Sequence, residues 1–363
     1  DGCIATENMP MFSVEGIDLE YLRFLLKSPY FYDELNKIET TGSAQKSIHE
    51  RQILEIKIPL PNLEEQKQFV EELTKLKNGG LDISSELTNQ LNLIKQLRQS
   101  FLREAIQGKL VSNDTKDGKT GAELLAEIQT EKENLIKEKK IKKSKPLPPI
   151  SEEEIPFEIP ENWVWCRLGE ICIKITDGFH NTPPKVQNGF PYIAATHVKS
   201  DKIDWDNCNY VAEKYHKELY NKTTPKKGEV LIVNIGAGCG TPAIIDVDYE
   251  FSFKNTAILK FNQILTSNKF LFYYFILRKD EFYLNLTKGG LQPFLSLKIL
   301  NEISVSLPPL EIQERIVSKL DELMRFCDHL ENSIKKSQKL NEQLLQQVLR
   351  EALQPKTKEE VLP

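Results

Sequence analysis

The stretch Leu60-Pro61-Asn62-Leu63-Glu64-Glu65-Gln66 returns later in the chain as Leu307-Pro308-Pro309-Leu310-Glu311-Ile312-Gln313. The offset, from position 60 to position 307, is 247 residues. Leu102-Arg103-Glu104-Ala105-Ile106-Gln107 and Leu349-Arg350-Glu351-Ala352-Leu353-Gln354 keep the same offset, so the residues between the two matches carry no insertion. Loops drift in length, and a segment that holds its length through a duplication is a rigid element. Upstream, Gly42-Ser43-Ala44-Gln45 answers Gly289-Gly290-Leu291-Gln292 at the same offset. Leu22–Leu26 resembles Leu271–Phe275 with a two-residue gap. Nothing in the first copy corresponds to Asn162–Ser252. The first unit therefore reads as the back half of a domain plus a helix, and the second as a whole domain plus a helix.

The rigid element reads as a long helix. In the second copy Ile316, Leu320, Leu323, Cys327, Leu330, Ile334, Ser337, Asn341, Leu344 and Val348 step alternately by four and three. Their counterparts are Phe69, Leu73, Leu76, Gly80, Ile83, Leu87, Gln90, Ile94, Leu97 and Phe101. A mean spacing of 3.5 marks the seam of a left-handed coiled coil rather than the 3.6 stripe of a lone surface helix. At 1.5 Å per residue such a helix reaches roughly 65 Å. Two of them in one chain pair most simply antiparallel, with the globular units at opposite ends. Gly79-Gly80 predicts a bend or break early in the first helix. On pattern alone a generic dimerisation coil is the other reading, and the duplicated globular units argue against it.

The expected divisions are a partial domain over 1–62, a long helix over 63–110, a helical and Pro-rich linker over 111–161, a second domain over 162–308, a long helix over 309–354 and a tail over 355–363. Within the linker, Gly121–Lys145 is helical and charged, either a DNA-binding tail or, since Glu123, Glu127, Glu131, Glu133 and Glu138 offset its lysines, a solvated spacer. The second domain carries β-like runs at Trp163–Leu168, Glu170–Ile175, Tyr192–Ala195, Val230–Ile235, Ala243–Val247 and Thr256–Phe261, with a helix near Asn268–Asn285. The fold class is α+β: β-rich domains with a long antiparallel two-helix coiled coil and a pseudo-twofold internal repeat.

The 363 residues are 40% hydrophobic and 28% charged, with no apolar run long enough for a membrane span. The chain opens on Asp1 with neither initiator Met nor a signal-peptide pattern, and is expected to begin within a protein. Six scattered cysteines without a C-x-x-C point to neither zinc nor a disulfide frame, and fit a reducing cytoplasm. The net charge of −5 argues weakly against nucleic acid, but Cys166–Val305 holds 17 Lys and Arg against 14 Asp and Glu. Ile235-Gly236-Ala237-Gly238-Cys239-Gly240 is no dinucleotide fingerprint, because Thr241-Pro242 and a β-like run stand where the helix is required. His180 with Asp177 lacks a nucleophile and an orienting partner, so the loop Thr176–Pro183 suits hydrogen bonding to bases and phosphates better than acid–base catalysis.

Trp163-Val164-Trp165-Cys166-Arg167-Leu168-Gly169-Glu170-Ile171, Thr176-Asp177-Gly178-Phe179-His180, Gly228–Ile232 with its Gly-rich turn, the Gly-x-x-Gln element and the Leu-Pro-Pro-Leu-Glu-x-Gln entry occur here in one order. In that order they resemble the specificity subunits of type I restriction–modification systems. The departure is the missing front of the first target-recognition domain. The resemblance implies a non-catalytic subunit that directs adenine methylation and restriction to a bipartite site in double-stranded DNA. Its helices would set the spacing and dock two methyltransferase subunits, with restriction subunits joining them. It also implies no cofactor here: S-adenosylmethionine belongs to the methyltransferase, and ATP and magnesium to the restriction subunit. Candidate DNA-contacting residues are Thr176, Asp177, His180, Asn181, Thr182, Lys185, Lys254, Asn255, Lys288 and Gln292, with Gln45 and Lys46 in the first copy. The competing readings are a coiled-coil scaffold with a protein- or sugar-binding β-domain, and a lone enzyme, for which no cofactor loop or acidic metal cluster is visible.

Overall fold

The computed structural model describes residues 14–38, 48, 50–179, 182–199, 202–286 and 293–353. Compactness divides the chain into Asp1–Lys95 with Asp328–Pro363, and Gln96–Cys327. The helices are α1 (Leu19–Leu26), α2 (Pro29–Asn36), α3 (Glu50–Leu54), α4 (Leu63–Ile106) and α5 (Gly121–Lys137), then α6 (Leu168–Ile171), α7 (Glu213–Thr223), α8 (Asn268–Leu286), α9 (Leu297–Glu302) and α10 (Leu310–Leu353). The strands are β1 (Val164–Arg167), β2 (Lys174–Asp177), β3 (Lys185–Ala194), β4 (Asn209–Val211) and β5 (Val230–Val233), then β6 (Pro242–Ile244), β7 (Ser252–Lys254), β8 (Thr256–Lys260) and β9 (Ser304–Leu307). No helix among the described residues is long and apolar enough to cross a membrane.

In the first unit, Asp18 caps α1 by accepting from the backbone N–H groups of Glu20 and Tyr21 at 3.0 Å. Tyr21 and Leu25 then face Ile58, Phe69 and Val70, and form a small core. The start of α4 carries a reciprocal capping box between Asn62 and Glu65, at 3.0 and 3.1 Å, which satisfies two orphan donors. One turn on, Gln66 is buried at 1% exposure. Its Oε1 accepts from the Asp18 N–H at 2.7 Å and its Nε2 donates to the Pro61 carbonyl at 2.7 Å.

The second unit repeats this clamp. Gln313, fully buried, accepts from the Ser267 N–H at 2.9 Å and donates to the Pro308 carbonyl at 3.0 Å. Ser267 caps α8 as Asp18 caps α1. The duplication is thus one of hydrogen-bond geometry as well as of sequence: a buried amide ties the start of each long helix to the cap of the helix packed beneath it.

The long helices run antiparallel within each unit. In the first, Asn341 Nδ2 donates to the Gly80 carbonyl at 2.9 Å, and Gln338 faces Thr88. In the second, Leu102 and Ala105 pack with Ile312, Ile316 and Leu320, and Arg98 reaches the Met324 carbonyl. Leu73, Ile94, Ile316, Leu320 and Cys327 are buried, and Leu87, Leu97, Leu323, Leu330 and Ile334 are half-buried. Two sequence expectations fail here. The helix continues unbroken through Gly79-Gly80, because Gly80 is a contact: a Cβ there would lie 2.8 Å from Leu345 Cδ1. That approach brings Leu345 rather than Leu344 against α4. Leu76, Ile83 and Leu344, expected in the seam, are half or more exposed.

The core of the second unit is a four-stranded antiparallel sheet in the order β2-β8-β5-β6. Every residue of β5 is buried. Strand alternation sends Val230 and Ile232, with Ala257 and Leu259 of β8, toward Leu271, Tyr274 and Phe275 of α8. Leu231, Val233 and Ile258 face Ile193, Phe251 and Phe253 on the other side. Two smaller sheets flank it: β1 with β9, and β4-β3-β7, in which β3 and β7 run parallel. The expected run Glu170–Ile175 divides between α6 and β2.

The expected spacer is partly core. Thr120 and Glu123 form a capping box that starts α5, and Leu124 and Ile128 bury themselves against the sheet assembly. A Cβ on Gly121 would lie 2.1 Å from the Leu307 carbonyl oxygen. The Pro-rich crossing is held by the buried Arg167, whose guanidinium donates to the carbonyls of Pro148 and Pro149 at 3.0 and 2.8 Å and pairs with both Glu154 oxygens at 2.7 and 2.9 Å.

Gln313→Leu leaves the part-buried Ser267 N–H and the buried Pro308 carbonyl without these partners. We expect it to cost about 2–4 kcal/mol in urea unfolding, with Gln66→Leu acting in the same direction. Arg167 holds the Glu154 carboxyl down at about 2, so its contribution is present above the ordinary carboxylate range near 4.5 and is lost as pH falls toward 2. Unfolding midpoints taken stepwise from pH 5 to 2 should therefore fall less steeply for Glu154→Gln than for the parent chain.

Candidate nucleic-acid interface

Strand β2 lies beside β8, with Thr176 opposite Ile258 and Asp177 opposite Ala257. Alternation turns the Thr176 side chain into the core, so it cannot approach a ligand and is removed from the candidate set. Asp177 turns the other way and accepts from Lys222 Nζ of α7 at 2.7 Å. The chain then passes close against β7. The Gly178 N–H donates to the Thr256 carbonyl at 2.9 Å, and a Cβ there would lie 2.3 Å from the Phe253 oxygen. Only glycine fits at that position.

Phe179 bridges to Lys254, and Lys254 Nζ donates to Thr182 Oγ1. Asn255 joins β7 to β8 in the left-handed region, φ +56°, and its carbonyl accepts from the Asn234 N–H at 3.2 Å. The fold thus gathers Asp177, Thr182, Lys254 and Asn255, residues up to 78 positions apart in the sequence, at one set of strand ends. Lys185 is exposed at the start of β3. His180, Asn181, Lys288, Gln292, Gln45 and Lys46 lie outside the described residues.

The Gly-rich segment closes the β5–β6 hairpin. Gly240 N–H returns to the Val233 carbonyl at 2.8 Å, and Gly236 N–H reaches Pro293 at 3.1 Å. A strand follows it rather than a helix, which agrees with rejecting the dinucleotide reading. Asn234, at the end of the wholly apolar β5, is buried. Its Oδ1 and the neighbouring Thr256 Oγ1 have no hydrogen-bond partner among the described residues. Sequence reading passed over Asn234, although an amide closing the run Val230–Val233 is itself a signal, since a buried polar group without a partner costs about 1–3 kcal/mol.

Two further polar features were missed. His216 is buried, with Nδ1 2.9 Å from Ser252 Oγ and Nε2 3.1 Å from the Glu250 carboxylate, and its ring stacks on Phe190 at 3.9 Å. The order resembles a nucleophile–base–acid relay, but it is turned inside out. The hydroxyl belongs to a residue 1% exposed, and the carboxylate faces solvent. Nucleophilic catalysis requires the reverse, so the trio ties α7 to β7. Separately, Lys132, Lys140, Lys142 and Lys174 line a cleft of about 590 Å³ whose described wall contains no carboxylate. Lys132 Nζ donates to the Gly169 carbonyl at 2.6 Å, and burial lowers its pKa. No group of three or more potential metal ligands occurs among the described residues.

The family model for the type I restriction modification DNA specificity domain matches residues 3–93 and 160–342. The chain belongs to that family. The two matched segments fall on the two copies of the repeat. The EcoAI specificity subunit of Escherichia coli is 28% identical over 375 residues, covering 88% of this chain and 62% of its own length. The EcoEI specificity subunit of the same organism is 26% identical over 380 residues, covering 89% and 62%. This chain therefore spans about three-fifths of those relatives. A structure from work on complex assembly and conformational transition of the type I restriction–modification system superimposes with a TM-score of 0.56 at 20% identity, over 93% of this chain and 71% of that one, and shares the fold.

Asn255 separates backbone need from side-chain role. Asn255→Gly should leave the thermal midpoint unchanged within error, whereas Asn255→Val should destabilise by about 1–2 kcal/mol, because a branched side chain resists the left-handed region.

Proposed function

We propose that this chain is a DNA sequence-recognition subunit of a type I restriction–modification complex, itself without catalytic activity. The strand-end cluster of Asp177, Thr182, Lys254 and Asn255 reads one half of a bipartite double-stranded site, together with His180 and Asn181 of the same loop. The observation that carries the reading is this convergence of amide, hydroxyl and ammonium groups on one edge of a domain of the DNA specificity family. Lysines here and in the cleft beside β2 hold phosphates, and the Asn amide matches the paired donor and acceptor of an adenine edge.

In the same proposal the long helices set the spacing between half-sites and dock two methyltransferase subunits, to which restriction subunits add. Adenine methylation takes place on a flipped base and draws S-adenosylmethionine from the methyltransferase. ATP and magnesium serve the restriction subunit, and the assembly works in the cytoplasm.

The test is methylation of plasmid DNA by this chain with an active cognate methyltransferase, mapped base by base. A split adenine motif with a constant gap is the expected result. Lys254→Ala should weaken binding about equally on all sequences and flatten the salt dependence, while Asn255→Gly should relax one position of the motif. Absence of sequence-specific methylation with a verified active partner sinks the proposal.

A further inference from the structure

The basic run Lys137–Lys145 turns back at the end of α5. Lys139 takes the left-handed region, φ +60°, and the Lys140 N–H returns to the Leu135 carbonyl at 2.9 Å. The turn brings Lys140, Lys142 and Ser144 beside the start of β2, where Lys132 and Lys174 complete the polar lining of the cleft of about 590 Å³. Among the described residues, only Lys140 of these four lysines meets a carboxylate, that of Glu138 at 2.8 Å on the exposed rim. Lys132 Nζ is half-buried and donates to two carbonyls, of Gly169 at 2.6 Å and of Glu170 at 3.2 Å. An ammonium carries three N–H groups, so one is left over. The Glu170 carboxylate itself accepts from the Arg167 N–H at 2.7 Å. Lys174 Nζ donates to the Lys222 carbonyl at 2.9 Å, again an uncharged acceptor. Burial lowers the Lys132 pKa, as desolvation of a cation without a counter-charge must. An anion in the cleft would relieve both the desolvation and the mutual repulsion.

The rest of the wall is apolar. Ile136, Ile141, Ile173 and Ile175 line it, all half-buried. A duplex backbone is convex and hydrophilic. It can touch the lysines of the rim, but it has nothing to set against isoleucines and does not enter a recess of this size. A slender ligand with an anionic end and a flat apolar body matches both walls, and the volume is that of an ordinary small-molecule site. The cleft also stands away from the polar strand ends. Lys174, opposite Lys260, opens β2, and Asp177, opposite Ala257, closes it, roughly 10 Å further along the strand.

We propose that this cleft binds a nucleoside di- or triphosphate, with the phosphates on Lys132, Lys142 and Lys174 and the base against the isoleucines. The Ser144 hydroxyl adds a neutral donor to the phosphates. Asn301, the amide of the lining, gives its Nδ2 to the Leu297 carbonyl at 2.6 Å, so the base is held by apolar contact and its identity matters little. The inference rests on reading these lysines as holders of phosphate, and is independent of which DNA sequence the chain recognises.

Calorimetric titration of the full chain with ATP in magnesium-free buffer, without DNA or partner subunits, tests it. Saturable one-to-one binding is expected, with CTP within about threefold of ATP and inorganic triphosphate about fivefold weaker for want of the apolar contact. Lys132→Met and Lys142→Met should each weaken ATP binding about tenfold, since each removes a charge-assisted bond. Lys142 is exposed, so its variant keeps the fold whatever becomes of Lys132→Met. Lys319→Met, on the exposed face of α10 and outside the cleft, should change nothing. No saturable ATP binding, or binding that Lys142→Met leaves intact while affinity for a DNA duplex falls, overturns the proposal. A split methylation motif obtained from a chain that binds no ATP removes this inference and leaves the DNA reading standing.

Discussion

A single buried glutamine, present twice, organises each half of this protein. An amide that accepts one bond and donates one, at the fourth residue of each long helix, satisfies the capping N–H of a neighbouring helix and the carbonyl of the entry turn. The glutamine side chains themselves are buried, and each bond constrains a backbone direction. The start of α4 is thereby set on α1, and the start of α10 on α8. Inside the second unit the strand that enters α10 continues the same arrangement: β9 carries β1, and α5 lies against its end. The DNA specificity family to which the chain belongs is thus written here as two uses of one joint.

The polar strand-end cluster rests on this frame at one remove. The four-stranded sheet is packed on both faces, so its interior side chains are taken up by the core and polar chemistry is left to where the strands stop. Asp177, Lys254 and Asn255 all stand at such stops, and the tight passage of Gly178 over Phe253 holds the loop close to them. The His216 trio fastens α7, which in turn presents Lys222 to Asp177. The cluster is positioned by packing several residues deep, and its own side chains remain on the edge.

Much of this was legible in the chain. The duplication, the two long helices and the wholly apolar β5 follow from periodicity, because burial imposes the period. What escaped reading depended on partners distant in sequence. Gly80 carries a helix-weakening propensity, and only the presence of Leu345 opposite makes it a contact. Thr176 and Asp177 are equally polar, and which of them faces outward depends on the register against β8. The charges of α5 masked Leu124 and Ile128, four residues apart on one face. Gln66 and Gln313 stood within the repeated motif, but their role needed Asp18 and Ser267. The interaction of His216 with Ser252 and Glu250 spans 36 and 34 residues and leaves no local trace.

The clamps also bear on the order in which the chain acquires its structure. Gln66 reaches back 48 residues to Asp18, and Gln313 reaches back 46 to Ser267. Closing loops of such similar length costs nearly the same entropy, so the two joints form on comparable timescales and without reference to each other. The bond from Asn341 to Gly80 spans 261 residues and closes a far larger loop. Contacts of short separation form ahead of contacts of long separation. By that order each half assembles its own joint first, and the long helices meet as elements already begun, with Leu345 seated over Gly80 once they do.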